Sequence, residues 1–336
     1  MALLIGGGMF FLRADGAELP EPVSIEAALQ SYPLTTDSPP LEIAHGLLVF
    51  GKDLKIFDPA RDRWLPAVDY LCSQREIATP KGRRPVLELA HGYPQFILTP
   101  NQAIVQAHPN QVFGYLMAAG VSLEQPIKFD SKKYTLKDIL EGIKHNLDFE
   151  KLASGVPEMT QDAYRDFELG WILQGFATAL QPDETWKDMR GKELNEEMLL
   201  ALAARRPIGW GSCAGTHELK GLAHALRAHA PEGVTPTGIW KTIAEKLAAA
   251  KKSAAKKQNA DGSYDHRWPP TPILPVYDNW SLEDEKIHVT GHMLAWLAIC
   301  AHQNELDQPC LRKAYQFLMA VRVRKEDVGV SHSVLS

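Results

Sequence analysis

Apolar residues in this chain recur at spacings of three and four, with few runs that alternate in twos, and that period sets most of what the chain can fold into. The spacing predicts helices near 41–51, 62–75, 100–107, 109–120, 136–147, 161–180, 194–205, 215–229, 236–257, 282–303 and 308–324. Several starts carry capping chemistry. Ser281 is followed by Glu283, Asp284 and Glu285, acids suited to the positive end of a helix. Thr135 precedes Leu136 with Asp138 in the first turn, and Pro109 fits a first helical turn. Links such as Gly155-Val156-Pro157 and Pro231-Glu232-Gly233 break one helix from the next. Ahead of them, residues 14–42 hold Pro20, Pro22, Pro33, Pro39 and Pro40 and read as a lead-in with one short helix at about 24–31. The absence of any β–α–β alternation excludes Rossmann-like and β/α-barrel folds.

The helices are of two kinds. Those at 236–257 and 308–324 are amphipathic, as outer helices should be. Those around Leu169–Leu180, His217–Ala225 and His292–Ala298 are apolar on more than one side and carry small residues such as Gly170, Gly175, Gly221 and Ala223. Such helices belong to an inner layer packed on two faces. Two of them share His-x-Leu-x-x-Leu-Ala, at 217–223 and 292–298, each histidine lying beside a glycine, Gly215 or Gly291. The fold expected is all-α: a single α/α toroid over 41–330, preceded by an apolar segment and lead-in over 1–40. Its central cavity would open at the N-termini of the inner helices. A stacked solenoid gives a similar pattern, but no fixed period supports one.

Bulk properties narrow the partners. With a net charge of -5 and a pI near 6.2, the chain has no basic field for nucleic acid. Lys251, Lys252, Lys256 and Lys257 lie on an alanine-rich helix and read as a solvated face. Cys72, Cys213, Cys300 and Cys310 are too few for a disulfide framework. Cys300 and Cys310 could pair in an exported chain; free thiols are the other reading. Residues 1–12 are apolar or glycine and too short to span a bilayer. They read as a signal remnant or membrane tether, slightly favouring export, or as a buried N-terminal segment.

Two segments carry a family likeness. Gln258-Asn259-Ala260-Asp261-Gly262-Ser263-Tyr264 resembles the Gln-x-x-Asp-Gly-x-aromatic motif of squalene and oxidosqualene cyclases, where it ends a helix and ties neighbouring hairpins together. Gly209–Ala214 with Leu219–Leu222 resembles their Ser-Asp-Cys-Thr-Ala-Glu segment. The likeness covers about a quarter of the chain, extends to protein prenyltransferase β subunits, and implies a toroid. It does not bring the cyclase chemistry with it: no Asp-x-Asp-Asp and no Asp-Asp-x-x-Asp occurs, and Ser212 stands where the cyclases place an acid.

The strongest chemical signal is Cys213 with His217, and His288 with His292. Each pair is spaced i, i+4, on one face if helical. A thiolate with two or three imidazoles suits zinc, so Cys213, His217, His288 and His292 are the candidate metal ligands. The prenyltransferase likeness matches Cys213 and His292 to two of that family's zinc ligands, with Gly211 in place of the third. Without metal, His217 and His292 remain candidate acid/base groups at inner helix starts, and Tyr264 joins them. Trp210, His266, Arg267 and Trp268 are candidate substrate contacts, aromatic for stacking and cationic for carboxylates. His108 and Asn110, and near them His91-Gly92-Tyr93, form a second polar group at helix boundaries. Three readings follow: a terpenoid-cyclase- or prenyltransferase-like toroid, metal- or histidine-dependent; a carbohydrate-active toroid, lyase or glycosidase, with a small-molecule or glycan ligand; and a non-catalytic scaffold.

Overall fold

The computed structural model describes residues 34–79, 82–99, 105–129, 132–154, 168–181, 183–230, 233–270, 281–301 and 308–324, and the backbone of 3–5 and 8–10. The 161–167 part of one expected helix and the lead-in helix at 24–31 fall outside these residues. Leu3–Ile5 (β1) and Gly8–Phe10 (β2) pair as an antiparallel hairpin within the apolar N-terminal segment.

Helices fill the interior. Pro40–Phe50 (α1) packs on Gln111–Ala118 (α3), which packs on Gly170–Ala179 (α6), which packs on Thr216–His229 (α8), which packs on Leu282–Cys300 (α10). Pro309–Arg324 (α11) lies against α10. Glycines set how closely the row packs. A Cβ added at Gly170 would stand 2.3 Å from the carbonyl oxygen of His217, and one at Gly221 would stand 2.4 Å from that of Gly170. The α6 and α8 backbones therefore touch, a contact any larger residue would pry apart. Residues 111–117 of α3 and 170–177 of α6 are buried without a break, as inner helices require. Gly238–Lys257 (α9) instead buries only Ile243, Leu247, Ala250 and Ala254, a single stripe against α8 and Glu196–Arg205 (α7). On this outer side the buried carboxylate of Glu218 meets Arg206 at 2.8 Å and Lys246 at 3.6 Å, tying α7, α8 and α9 together.

The all-α expectation is wrong. Six two-stranded antiparallel pairs occur among the described residues. Lys55–Asp58 (β3) pairs with Arg63–Pro66 (β4) and runs into the short helix Ala67–Leu71 (α2). Pro126–Phe129 (β9) pairs with Lys132–Thr135 (β10) and runs into Leu136–Asn146 (α4), and Thr185–Lys187 (β11) pairs with Glu193–Asn195 (β12) and runs into α7. Glu76–Thr79 (β5) pairs with Gly82–Pro85 (β6), and Leu87–Ala90 (β7) with Tyr93–Phe96 (β8). A further short helix, Phe149–Ser154 (α5), precedes α6. The fold is thus mixed: a row of inner helices connected through hairpin–helix units. Helical spacing hid the hairpins because strands of three or four residues are too short to show alternation. The expected helix at 62–75 is β4 plus α2, and 105–107 is not helical. His91 and Gly92, expected at a helix boundary, form the β7–β8 turn with φ of 51° and 88°, the doubly left-handed geometry of a tight hairpin.

The capping expectations fare better. Ser281 Oγ accepts from Asp284 N at 3.1 Å, and Thr135 N donates to Asp138 at 2.7 Å. Pro109 lies outside α3, which begins only after Asn110 in a left-handed turn. All four cysteines are free thiols. No described helix is long and apolar enough to cross a membrane.

Candidate functional site

The N-terminal ends of α3, α6 and α8 and the second and third turns of α10 meet at one buried cluster of polar side chains. Just before α3 stands His108, and just before α6 stands Glu168. A 3-10 turn, Cys213–Gly215, leads into α8 and carries Cys213, with His217 in the first turn after it. His288 and His292 come from α10, one turn apart. All six are between 2% and 7% exposed.

Glu168 holds the cluster in register. Its Oε2 pairs with His108 Nδ1 at 2.8 Å and its Oε1 accepts from His217 Nδ1. Burial alone would raise this carboxyl, but the imidazoles of His108 and His217 outweigh it and keep the group ionised far below the usual carboxylate range. His217 is lowered, chiefly by burial, with Glu168 opposing. The arrangement that fits both is an ionised carboxylate that accepts the His217 Nδ1–H and pairs with the His108 imidazole. With the Nδ1 edges taken, Nε2 is the nitrogen each ring has left for other chemistry. His217 Nε2 is buried and, among the described residues, has no hydrogen-bond partner.

Cys213 joins the two halves. One ligating nitrogen each from His108 and His217, with Cys213 Sγ, lie within 4.8 Å of one another, and so do Cys213, His288 and His292. Cys213 Sγ and His288 Nε2 are 3.1 Å apart and hydrogen-bonded. The rings continue as an edge-to-face chain: His108 to His217 at 4.6 Å, His217 to His292 at 4.7 Å, and His292 to His288 at 4.5 Å between centroids. Cys213 and Ala214 both hold left-handed backbone, with φ of 51° and 54°. For residues with a Cβ that geometry costs about 1–2 kcal/mol each, and such strain persists where the surroundings over-determine it.

One turn deeper lies a second layer. Trp171 of α6 stands 4.7 Å from the His217 ring, and Tyr115 of α3 meets Trp171 edge-on at 4.9 Å. Tyr115 Oη bonds His45 Nε2 of α1 at 2.8 Å, and His45 Nδ1 donates to the Leu41 carbonyl. Lys220 of α8 sends its Nζ over both rings, 4.8 Å from Tyr115 and 5.2 Å from Trp171. Burial, the one cause acting on it, pulls this amine down to about 7.

The structure therefore brings Cys213, His217, His288, His292 and His108 together. Asn110 is the left-handed residue before α3, half-buried. Tyr264 is fully buried against α10, where its backbone N donates to Thr290 Oγ1 at 2.8 Å, and Trp268 packs on Trp296. His266 donates its backbone N to Glu285 at 2.8 Å and its Nδ1 to the same oxygen. Arg267 pairs with Asp265 through two bonds, which holds that carboxyl at about 2 against the upward push of burial. Trp210 is half-buried with the Arg206 guanidinium 5.6 Å from its ring. The segment 258–264 ends α9 and binds α11: Gln258 Nε2 donates to the carbonyls of Gly262 and Cys310 at 2.9 and 2.8 Å. Sequence reasoning missed Glu168, Trp171 and Lys220. Glu168 sat inside an expected helix running from 161, and only the break before Gly170 would have exposed it as a loop residue.

Compared with known proteins, the chain matches no family model, no curated protein and no solved structure.

Proposed function

We propose that this chain is a metal-dependent enzyme whose centre holds a zinc-class divalent ion on Cys213, His108 and His217. The observation that carries the reading is Glu168, which engages the Nδ1 edges of both histidines and so fixes the rings that would present Nε2 to the ion. Ligating histidines usually have such a carboxylate or carbonyl behind them, which sets the tautomer and raises basicity. Thiolate and imidazole are the donors zinc prefers, and three protein ligands leave a coordination position for water or substrate, the catalytic rather than structural pattern. A zinc ion held by Cys213, His108 and His217 would supply Lewis acidity there and make a bound water acidic near neutral pH. Metal binding needs the thiolate, and His288, 3.1 Å from Sγ, is placed to take the proton. His292 packs on His217 beside the same position as a proton donor or acceptor.

Elemental analysis of protein purified without chelator tests this. One equivalent of zinc or a similar ion is expected, together with a thiolate charge-transfer band on cobalt substitution that Cys213→Ser abolishes. Protein that neither retains nor takes up metal would overturn the reading.

The Cys213–His288 bond and the strained backbone at the start of α8 favour one alternative, a metal-free thiolate nucleophile. In that case Cys213 in metal-free protein would alkylate with iodoacetamide below pH 7, and Cys72, whose thiol burial pushes up to about 12, would not.

A further inference from the structure

The metal reading uses the top of the cluster and leaves the layer beneath it without a role. Lys220 is 4% exposed and, among the described residues, makes no hydrogen bond and no ion pair. Its ammonium lies against the faces of Tyr115 and Trp171, and its charge also acts on the buried imidazoles of His217 and His224. Nearby acids are already engaged: both oxygens of Glu168 face imidazole nitrogens, and the Glu218 carboxylate belongs to Arg206 and Lys246. The Tyr115 hydroxyl is committed to His45. On the ring that Lys220 Nζ overlies, the Trp171 indole Nε1–H is a second buried donor with no acceptor among the described residues.

Two aromatic faces attract a cation but do not replace the hydration it loses on burial. Buried donors without acceptors are rare in folded proteins and carry an explanation when they occur. Here the two share one ring: Lys220 Nζ lies over Trp171, and the His217 ring stands 4.7 Å from the same indole. The place is deficient in one thing, a negative charge.

We infer that the substrate is an oxyanion, a carboxylate or phosphate, whose charged group is taken by Lys220 and the Trp171 indole N–H while its reacting end lies toward Cys213. The last clause rests on the metalloenzyme reading; the anion site itself does not. A lowered amine fits a group that is stored partly neutral and becomes fully charged when an anion arrives.

The test titrates full-length protein with inorganic phosphate and, separately, with acetate by calorimetry, measuring metal content in the same sample. Wild type, Lys220→Met and Trp171→Phe are compared, the last keeping an aromatic ring and removing the donor. One of the two anions should bind saturably, which also tells phosphate from carboxylate. Lys220→Met should weaken it at least about tenfold, as loss of a charge-assisted hydrogen bond implies, and Trp171→Phe by a smaller factor. Metal content should stay unchanged in both variants. Binding that Lys220→Met leaves intact, or no binding of either anion by wild type, overturns the anion site. Zero metal with Lys220-dependent anion binding instead sinks the metalloenzyme reading and leaves this one standing.

Discussion

Replacing Glu168 by glutamine tests the centre at its orienting group. The side chain keeps its shape and loses its charge. In the native cluster one oxygen accepts the His217 Nδ1–H and the other pairs with His108 Nδ1 at 2.8 Å. The substituted amide keeps an acceptor for one ring and turns an NH2 donor toward the other, so that ring must change tautomer or rotate. A hydrogen bond to a charged group contributes about 1.5–3 kcal/mol, and one of the two is lost outright. Carboxylates behind metal-bound histidines are worth about 10–100-fold in affinity, or roughly 1.4–2.8 kcal/mol at 1.4 kcal/mol per tenfold, so the two routes agree. Zinc affinity should therefore fall about 10–100-fold, read by competition with a chromophoric chelator, while circular dichroism keeps its native form. The pH dependence follows with a definite sign. Glu168 titrates lower in the folded chain than its unfolded value of about 4.3, so its contribution is present above that value and is lost as pH falls toward the folded one. Metal-free wild type should lose stability below about pH 4 through this group, and metal-free Glu168→Gln should lack that component. Zinc affinity within about threefold of wild type, with the fold intact, would refute the role given to Glu168.

Gly221→Ala should cost about 1–3 kcal/mol despite a helix-propensity gain of about 1 kcal/mol, because its Cβ would stand 2.4 Å from the Gly170 oxygen. A melting curve reads that cost, and a weaker metal affinity would show that the α6–α8 contact sets the Glu168–His217 distance. Lys220→Met should stabilise the protein at pH 7. The native amine titrates near 7 against about 10.4 unfolded, so wild-type stability should rise between those values, by at most about 5 kcal/mol, and the variant should stay flat. Arg206→Met should destabilise by about 3–5 kcal/mol in chemical unfolding, since it leaves the Glu218 carboxylate buried beside Lys246 alone.

The extent to which sequence foretold structure differs from element to element. Inner helices α3, α6, α8 and α10 were legible because their cause is local: apolar and small residues at helical spacing, with caps such as Ser281 at their starts. The i, i+4 pairing of His288 with His292 was equally local, and Cys213 with His217 lay within one turn of the chain. The hairpins were not legible. Their stability comes from cross-strand pairing and from turns such as His91-Gly92, and four residues cannot display a period.

Which side chains meet was beyond any local reading. His108, Glu168, Cys213 and His292 are far apart in sequence and become neighbours through the side-by-side packing of successive inner helices. Interactions reaching three or four residues along the chain set the helical period, the capping and the spacing within each turn, so the residues themselves announce them. No such short-range interaction puts Glu168 between two histidines or leaves Lys220 without a counter-ion. Those facts depend on which helix lies beside which, and here bare glycine backbones at α6 and α8 allow that approach.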